Sequence, residues 1–143
     1  MNITRKIVRV LIAVGLLVSA SIASADVVVI VNSSVAIKSA SADDIAQIFL
    51  GKRSNIDGVH LVPVDQSEGN PARMAFYAKV VQKNPSQLNA YWSRLIFTGK
   101  GNPPRQVGSD AEVAEAVADD EEAIGYIDSS AVTDGVKVIY TVK

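Results

Sequence analysis

The chain has 143 residues, with 14 lysines and arginines against 15 aspartates and glutamates, and no cysteine. A formal charge of −1 without a clustered Lys/Arg stripe in the body of the chain argues against nucleic acid as a partner. The absence of cysteine excludes disulfides and thiolate metal sites, although export to an oxidising compartment stays compatible with the sequence.

Arg5, Lys6 and Arg9 form a basic start, Val10 to Val18 is an almost unbroken apolar run, and Ala23-Ser24-Ala25 fits a small-x-small cleavage pattern. This is the layout of a secretory signal peptide, with an apolar part too short for a convincing membrane span. Residues 1–25 are expected to be removed, leaving 26–143 as one domain in the bacterial periplasm, with no membrane attachment after cleavage. Removal takes three basic residues and no acidic one, so the formal charge moves from −1 to about −4.

Asp26 to Asn32, DVVVIVN, is a continuous β-branched run of the kind buried on both faces of a sheet covered by helices. Ser41 to Leu50 reads as a helix capped by Ser41, with Asp43 and Asp44 in its first turn and Gly51 at its end. A second strand is expected over His60 to Val64. A helix from Asn70 to about Gln82 follows, then another over roughly Ser86 to Phe97. Gly101 to Gly108 reads as a Pro- and Gly-rich loop, and Ser109 can cap a fourth helix ending near Ala118. Glu122 to Ile127 and Gly135 to Val142 read as strands. Alternating strands and helices predict an α/β layer with a mainly parallel sheet.

The most informative stretch is Leu61 to Val81, where an apolar strand passes through a polar turn into a helix opening at Asn70-Pro71-Ala72-Arg73. Proline suits the first helical position, and an arginine beside free helix N–H groups favours an anion. The alternative is that Arg73 pairs with Asp65 or Glu68 and the turn binds nothing.

Six short segments in order resemble the periplasmic phosphate-binding proteins, the substrate-binding subunits of phosphate ABC transporters, with the type 2 periplasmic-binding-protein fold. They are Val28 to Asn32, Ile48-Phe49-Leu50-Gly51-Lys52, the turn and helix from Val62 to Phe76, Tyr91-Trp92, Phe97-Thr98-Gly99-Lys100-Gly101 and Ala123-Ile124-Gly125-Tyr126. The resemblance implies one lobe of that fold, where the family has two. It also implies a small oxyanion ligand such as phosphate, and an ABC permease or a sensor protein as partner. Gln66 stands where the family's phosphate loop carries an arginine, and Asn70, Pro71 and Ala72 fall on its Ser-Gly-Thr. Pro71 has no N–H to offer a ligand.

In open α/β sheets ligands bind beyond the carboxyl ends of the strands. If the strands run parallel, the expected ligand-binding set is Asn32, Ser33, Ser34, Gln66, Ser67, Gly69, Asn70, Ala72 and Arg73. A single lobe leaves a solute half wet, so tight binding would call for a homo-oligomer or a partner. The other reading is an interaction or sensory-accessory protein that keeps the lobe as a scaffold. Trp92, Tyr91 and Phe97 are expected to pack a helix on the sheet, or else to mark a docking face. No catalytic constellation and no cofactor is expected. His60 is the sole histidine, no G-x-S-x-G turn occurs, and Asp119-Asp120-Glu121-Glu122 lacks the spacing of a calcium loop.

Overall fold

The computed structural model describes residues 26–143. The signal-peptide expectation falls on residues 1–25 and so lies outside the described residues. In chain order the elements are β1 (Val27–Asn32), α1 (Ala42–Phe49), β2 (Asn55–Ile56), β3 (Val59–His60), β4 (Val62–Gln66) and α2 (Pro71–Phe76). A π-helical turn (Tyr77–Val81) continues α2, followed by α3 (Pro85–Phe97), β5 (Arg105–Val107), α4 (Asp110–Asp119), β6 (Ala123–Asp128), a 3₁₀ turn (Ser129–Ala131) and β7 (Val136–Thr141).

Five strands form one sheet in the order β5-β4-β6-β1-β7, and β2 with β3 forms a separate small hairpin. β4 is parallel to both β5 and β6, whereas β1 is antiparallel to β6 and β7. Four of the five strands therefore run one way, as the sequence suggested, and β1 alone is reversed. The β-branched run of β1 is buried throughout. Its odd-numbered valines pack with α1, α2 and α3 on one face of the sheet, while Val28 and Ile30 pack with α4 on the other. The two-residue period of a strand serves both layers at once.

Gly125 is what lets α4 approach: a Cβ there would lie 2.4 Å from Val113 Cγ1. The outer edge of β7 is partly covered, because Ala40 N–H donates to Ile139 O at 3.1 Å and the Lys137 ammonium reaches Val35 O. Such cover removes a free edge that would otherwise template pairing with another chain.

Three local expectations change. The second strand is β4, shifted two residues toward Gln66, with Val59 and His60 used in the small hairpin. The Asn70–Gln82 helix opens into its π turn at Tyr77. The Pro-rich loop ends in a short strand, β5, paired with Val64 to Gln66.

Candidate functional site

Asp65 and Gln66 end β4 and are both buried, at 2% and 1% exposure. A carboxylate this deep is tolerated only when its lone pairs are filled. Asp65 Oδ1 accepts from Gln66 N–H at 2.8 Å and from the Tyr126 hydroxyl, and Oδ2 accepts from Arg73 Nη1 at 2.7 Å and from the Tyr77 hydroxyl at 2.5 Å. Those four donors match the acceptor sites of an ionised carboxylate, so Asp65 has nothing left for a ligand. Burial, then the negative charge of Asp65, holds both Tyr77 and Tyr126 phenols well above the usual range. Arg73 loses hydration by burial, but Asp65 more than compensates, so the guanidinium is held firmly charged.

Arg73 reaches this position because α2 starts at Pro71, which places residue 73 over the end of β4 and residue 77 one turn further on the same face. Both of its hydrogen bonds to described residues leave from Nη1, to Asp65 and to Gln66 O at 3.0 Å. Its guanidinium carbon lies 4.7 Å from the centre of the Tyr77 ring, which stacks beneath it. Arg73 also lines a cleft of about 400 Å³, together with Tyr77, Met74 and Lys83.

The other side chains of the turn are spent on one another. Gln66 Nε2 donates to Asp110 Oδ1 at 2.7 Å and to Tyr126 O at 2.8 Å, and its Oε1 accepts from Asn70 Nδ2 at 3.1 Å. Asn70 occupies the cap position of α2 without capping it; its amide goes to Gln66 and to Gly108 O at 3.2 Å. Ser67 Oγ donates to Val107 O at 3.2 Å. Gly69, at φ +90°, makes the turn, and Ala72 is buried.

A second hollow, of about 370 Å³, lies beside Asn70, Pro71 and Ala72, but Asp110 and Asp128 line it as well. Ser130 donates to Asp128 through its hydroxyl at 2.7 Å and its N–H at 2.8 Å, which keeps that carboxyl below the ordinary range. An anion in this hollow would face two acids and no cation, whereas the cleft beside Arg73 is lined by Arg73 and Lys83 against a single acid, Glu68.

The structure thus gathers Gln66, Ser67, Gly69, Asn70, Ala72 and Arg73 in one turn. It does not bring Asn32, Ser33 and Ser34 to them. The expectation of convergence assumed parallel strands, and reversal of β1 puts those three residues at the opposite end of the sheet. There Asn32 Nδ2 closes the last turn of α4, donating to Val117 O at 3.1 Å and Ala118 O at 2.9 Å, and Ser34 Oγ donates to Asn32 Oδ1 at 2.7 Å. Tyr77, Lys83, Asp110 and Tyr126 belong to the neighbourhood and were not foreseen as site residues. Only Tyr77 left a local signal, four residues after Arg73 on one helix face.

No family model matches the sequence, and no curated protein matches it significantly. Solved structures do resemble the fold. A Clostridium perfringens protein with bound phosphate, described as a phosphate ABC transporter substrate-binding protein, is 22% identical with a TM-score of 0.64, over 80% of this chain and 44% of its own. An ABC-type phosphate transport receptor from Vibrio cholerae is 16% identical with a TM-score of 0.65, over 80% of this chain and 45% of its own. PstS from Borrelia burgdorferi is 14% identical with a TM-score of 0.59, over 80% and 46%. The fold is therefore that of one lobe of the binding proteins of phosphate transporters. The chain spans under half the length of these relatives, which are transport-binding proteins rather than enzymes.

Proposed function

We propose that the chain is an exported, single-lobe solute-binding protein of the periplasm, which recognises a small oxyanion at the turn from β4 into α2. The observation that carries this reading is the position of Arg73: fixed through Nη1 by a buried, fully satisfied Asp65, while the residue also lines an open cleft. A guanidinium held in one orientation loses little entropy when it engages an oxyanion through two parallel N–H groups. The likeness to lobes of phosphate-binding proteins supports the same ligand class. Affinity in a monomer is weak, because one lobe leaves the solute wet, and it rises where a second copy, a permease or a sensor covers the cleft.

Calorimetric titration with phosphate and sulfate tests this, comparing wild type with Arg73→Gln after its circular dichroism has been checked. Saturable heat that disappears in the variant supports the reading; equal heats, or none with either protein, oppose it.

A specific observation favours the scaffold reading as well. Phe97 is 93% exposed at the end of α3, and Trp92 of the same helix lines a separate cleft with Lys52, Arg105 and Arg53, the last of these paired with Asp44. If that end docks a partner, Phe97→Asp abolishes partner capture and leaves oxyanion binding intact.

A further inference from the structure

Charge is divided along this chain in a way that its total conceals. From Gly69 to Ser109 there are six lysines and arginines and no aspartate or glutamate. From Asp110 to Gly135 there are nine aspartates and glutamates and no lysine or arginine. What sets the first stretch apart is its missing acids rather than a dense cluster of cations. The fold puts the helices of the two stretches on opposite faces of the sheet, because α2, the π turn and α3 pack on one face and α4 on the other.

On the first side Lys79, Arg94 and Lys100 are exposed, and none is in an ion pair among the described residues. Acids are sparse there: Asp43 and Asp44 of α1 are matched by Lys52 and Arg53, the latter paired with Asp44, and Asp57 and Glu68 sit in separate turns. On the second side Glu115 and Asp119, four apart on α4, are exposed and in no ion pair among the described residues. Asp120, Glu121 and Glu122 follow, all exposed. Each side also offers apolar surface. Ile96 and Phe97, at 52% and 93% exposure, end α3 between Arg94 and Lys100. Val138 pairs with Ile30 in the sheet, so it shares the α4 side, where it is 39% exposed.

A helix with its side chains is about 10–12 Å across, so the outer surfaces of the two helical layers lie well beyond a Debye length of about 10 Å at 0.1 M salt. The two charges therefore do not neutralise each other within one copy. A twofold pair through either face would set like charges together, which opposes association. Unlike faces of neighbouring copies meet instead as opposite charges, in a head-to-tail contact.

We propose that copies of this chain associate head to tail, the Ile96 and Phe97 end of α3 in one copy docking on the α4 and β7 side of the next. Arg94 and Lys100 face Glu115 and Asp119, and Phe97 is an aromatic anchor for the apolar surface that Val138 exposes. Each added copy leaves one basic and one acidic face free, so assembly continues into a ring or a filament. The contact needs neither Arg73 nor a bound solute.

Sedimentation velocity of the protein over a concentration series, in about 0.01 M and about 1 M salt, tests this, because the Debye length falls from about 30 Å to about 3 Å between them. At low salt the mean mass should rise with concentration beyond that of a dimer, and at high salt it should return to that of one chain. Arg94→Glu with Lys100→Glu, and separately Glu115→Lys with Asp119→Lys, should each give a monomer with an unchanged circular dichroism spectrum. Mixing the two variants in equal amounts should restore association, since each supplies the face that the other lacks. A monomer at every concentration in low salt overturns the proposal and leaves the basic face to a different, acidic partner. Association that persists at high salt, or in either variant alone, also overturns it, as does a mixture of the two that stays monomeric.

Discussion

Arg73 Nη1 stands 2.7 Å from Asp65 Oδ2, and the pair is nearly closed to solvent, with side-chain exposures of 12% and 3%. This contact joins the end of a central strand to the helix that follows it. Asp65 also collects two tyrosine hydroxyls, one from the π turn and one from β6, so a single carboxylate ties three elements together. Removing one partner of such a pair leaves the rest buried and unpaired. Asp65→Ala should lower the free energy of unfolding by about 3–5 kcal/mol, seen as a shift in the urea midpoint. Asp65→Asn keeps the shape, loses the charge and should cost less than Asp65→Ala.

The two tyrosines predict an alkaline limit. Tyr77 and Tyr126 have folded-state values raised by burial and by Asp65. Below the unfolded value, about 10, both states hold the phenolic protons and the shifts have no effect. Above it the unfolded chain releases protons that the folded chain keeps, so stability falls as pH rises. Absorbance titration near 295 nm should show Tyr77 and Tyr126 ionising only as the circular dichroism signal is lost. Phenolate absorbance from all four tyrosines in a folded protein would contradict the network.

Gly125 lies under α4, where the nearest atom to an added methyl would be Val113 Cγ1 at 2.4 Å. Gly125→Ala should destabilise by about 1–3 kcal/mol through overpacking, read as a lowered melting temperature. Pairing it with Val113→Ala should recover part of the loss, which separates overcrowding from a backbone effect.

Much of this was legible along the chain. The helix limits followed from Ser41, Gly51, Asn84-Pro85 and Ser109, because caps and breakers act locally. The direction of β1 was not legible. A run such as VVVIVN is buried on both faces whichever way it points, and its reversal moved Asn32, Ser33 and Ser34 away from the turn. β5 was hidden because a three-residue edge strand leaves almost no periodicity behind a proline pair. Arg73 paired with Asp65 was one of two alternatives open at the level of sequence. The hydroxyl of Tyr126, 61 residues from Asp65, could be placed there only by the strand order.

Phe97 was expected to pack a helix on the sheet with Trp92 or, if exposed, to mark a docking face. Trp92 is 8% exposed and packs, whereas Phe97 is 93% exposed. Residues five apart on a helix differ by more than a quarter turn, and α3 turns Phe97 outward beyond its own end. Phe97→Ser should change unfolding free energy by no more than about 0.5 kcal/mol, as surface substitutions usually do. A larger loss in a denaturant series would mean that this ring is covered in solution.

The most direct test of the solute-binding account is the Nε–H resonance of Arg73, assigned with Arg73→Lys and followed by NMR as oxyanions are added to the folded protein. The account predicts a saturable shift of that single guanidinium signal, with Arg53 and Arg105 unmoved. A signal that stays fixed while any bound anion shifts other residues would show that Arg73 serves Asp65 alone.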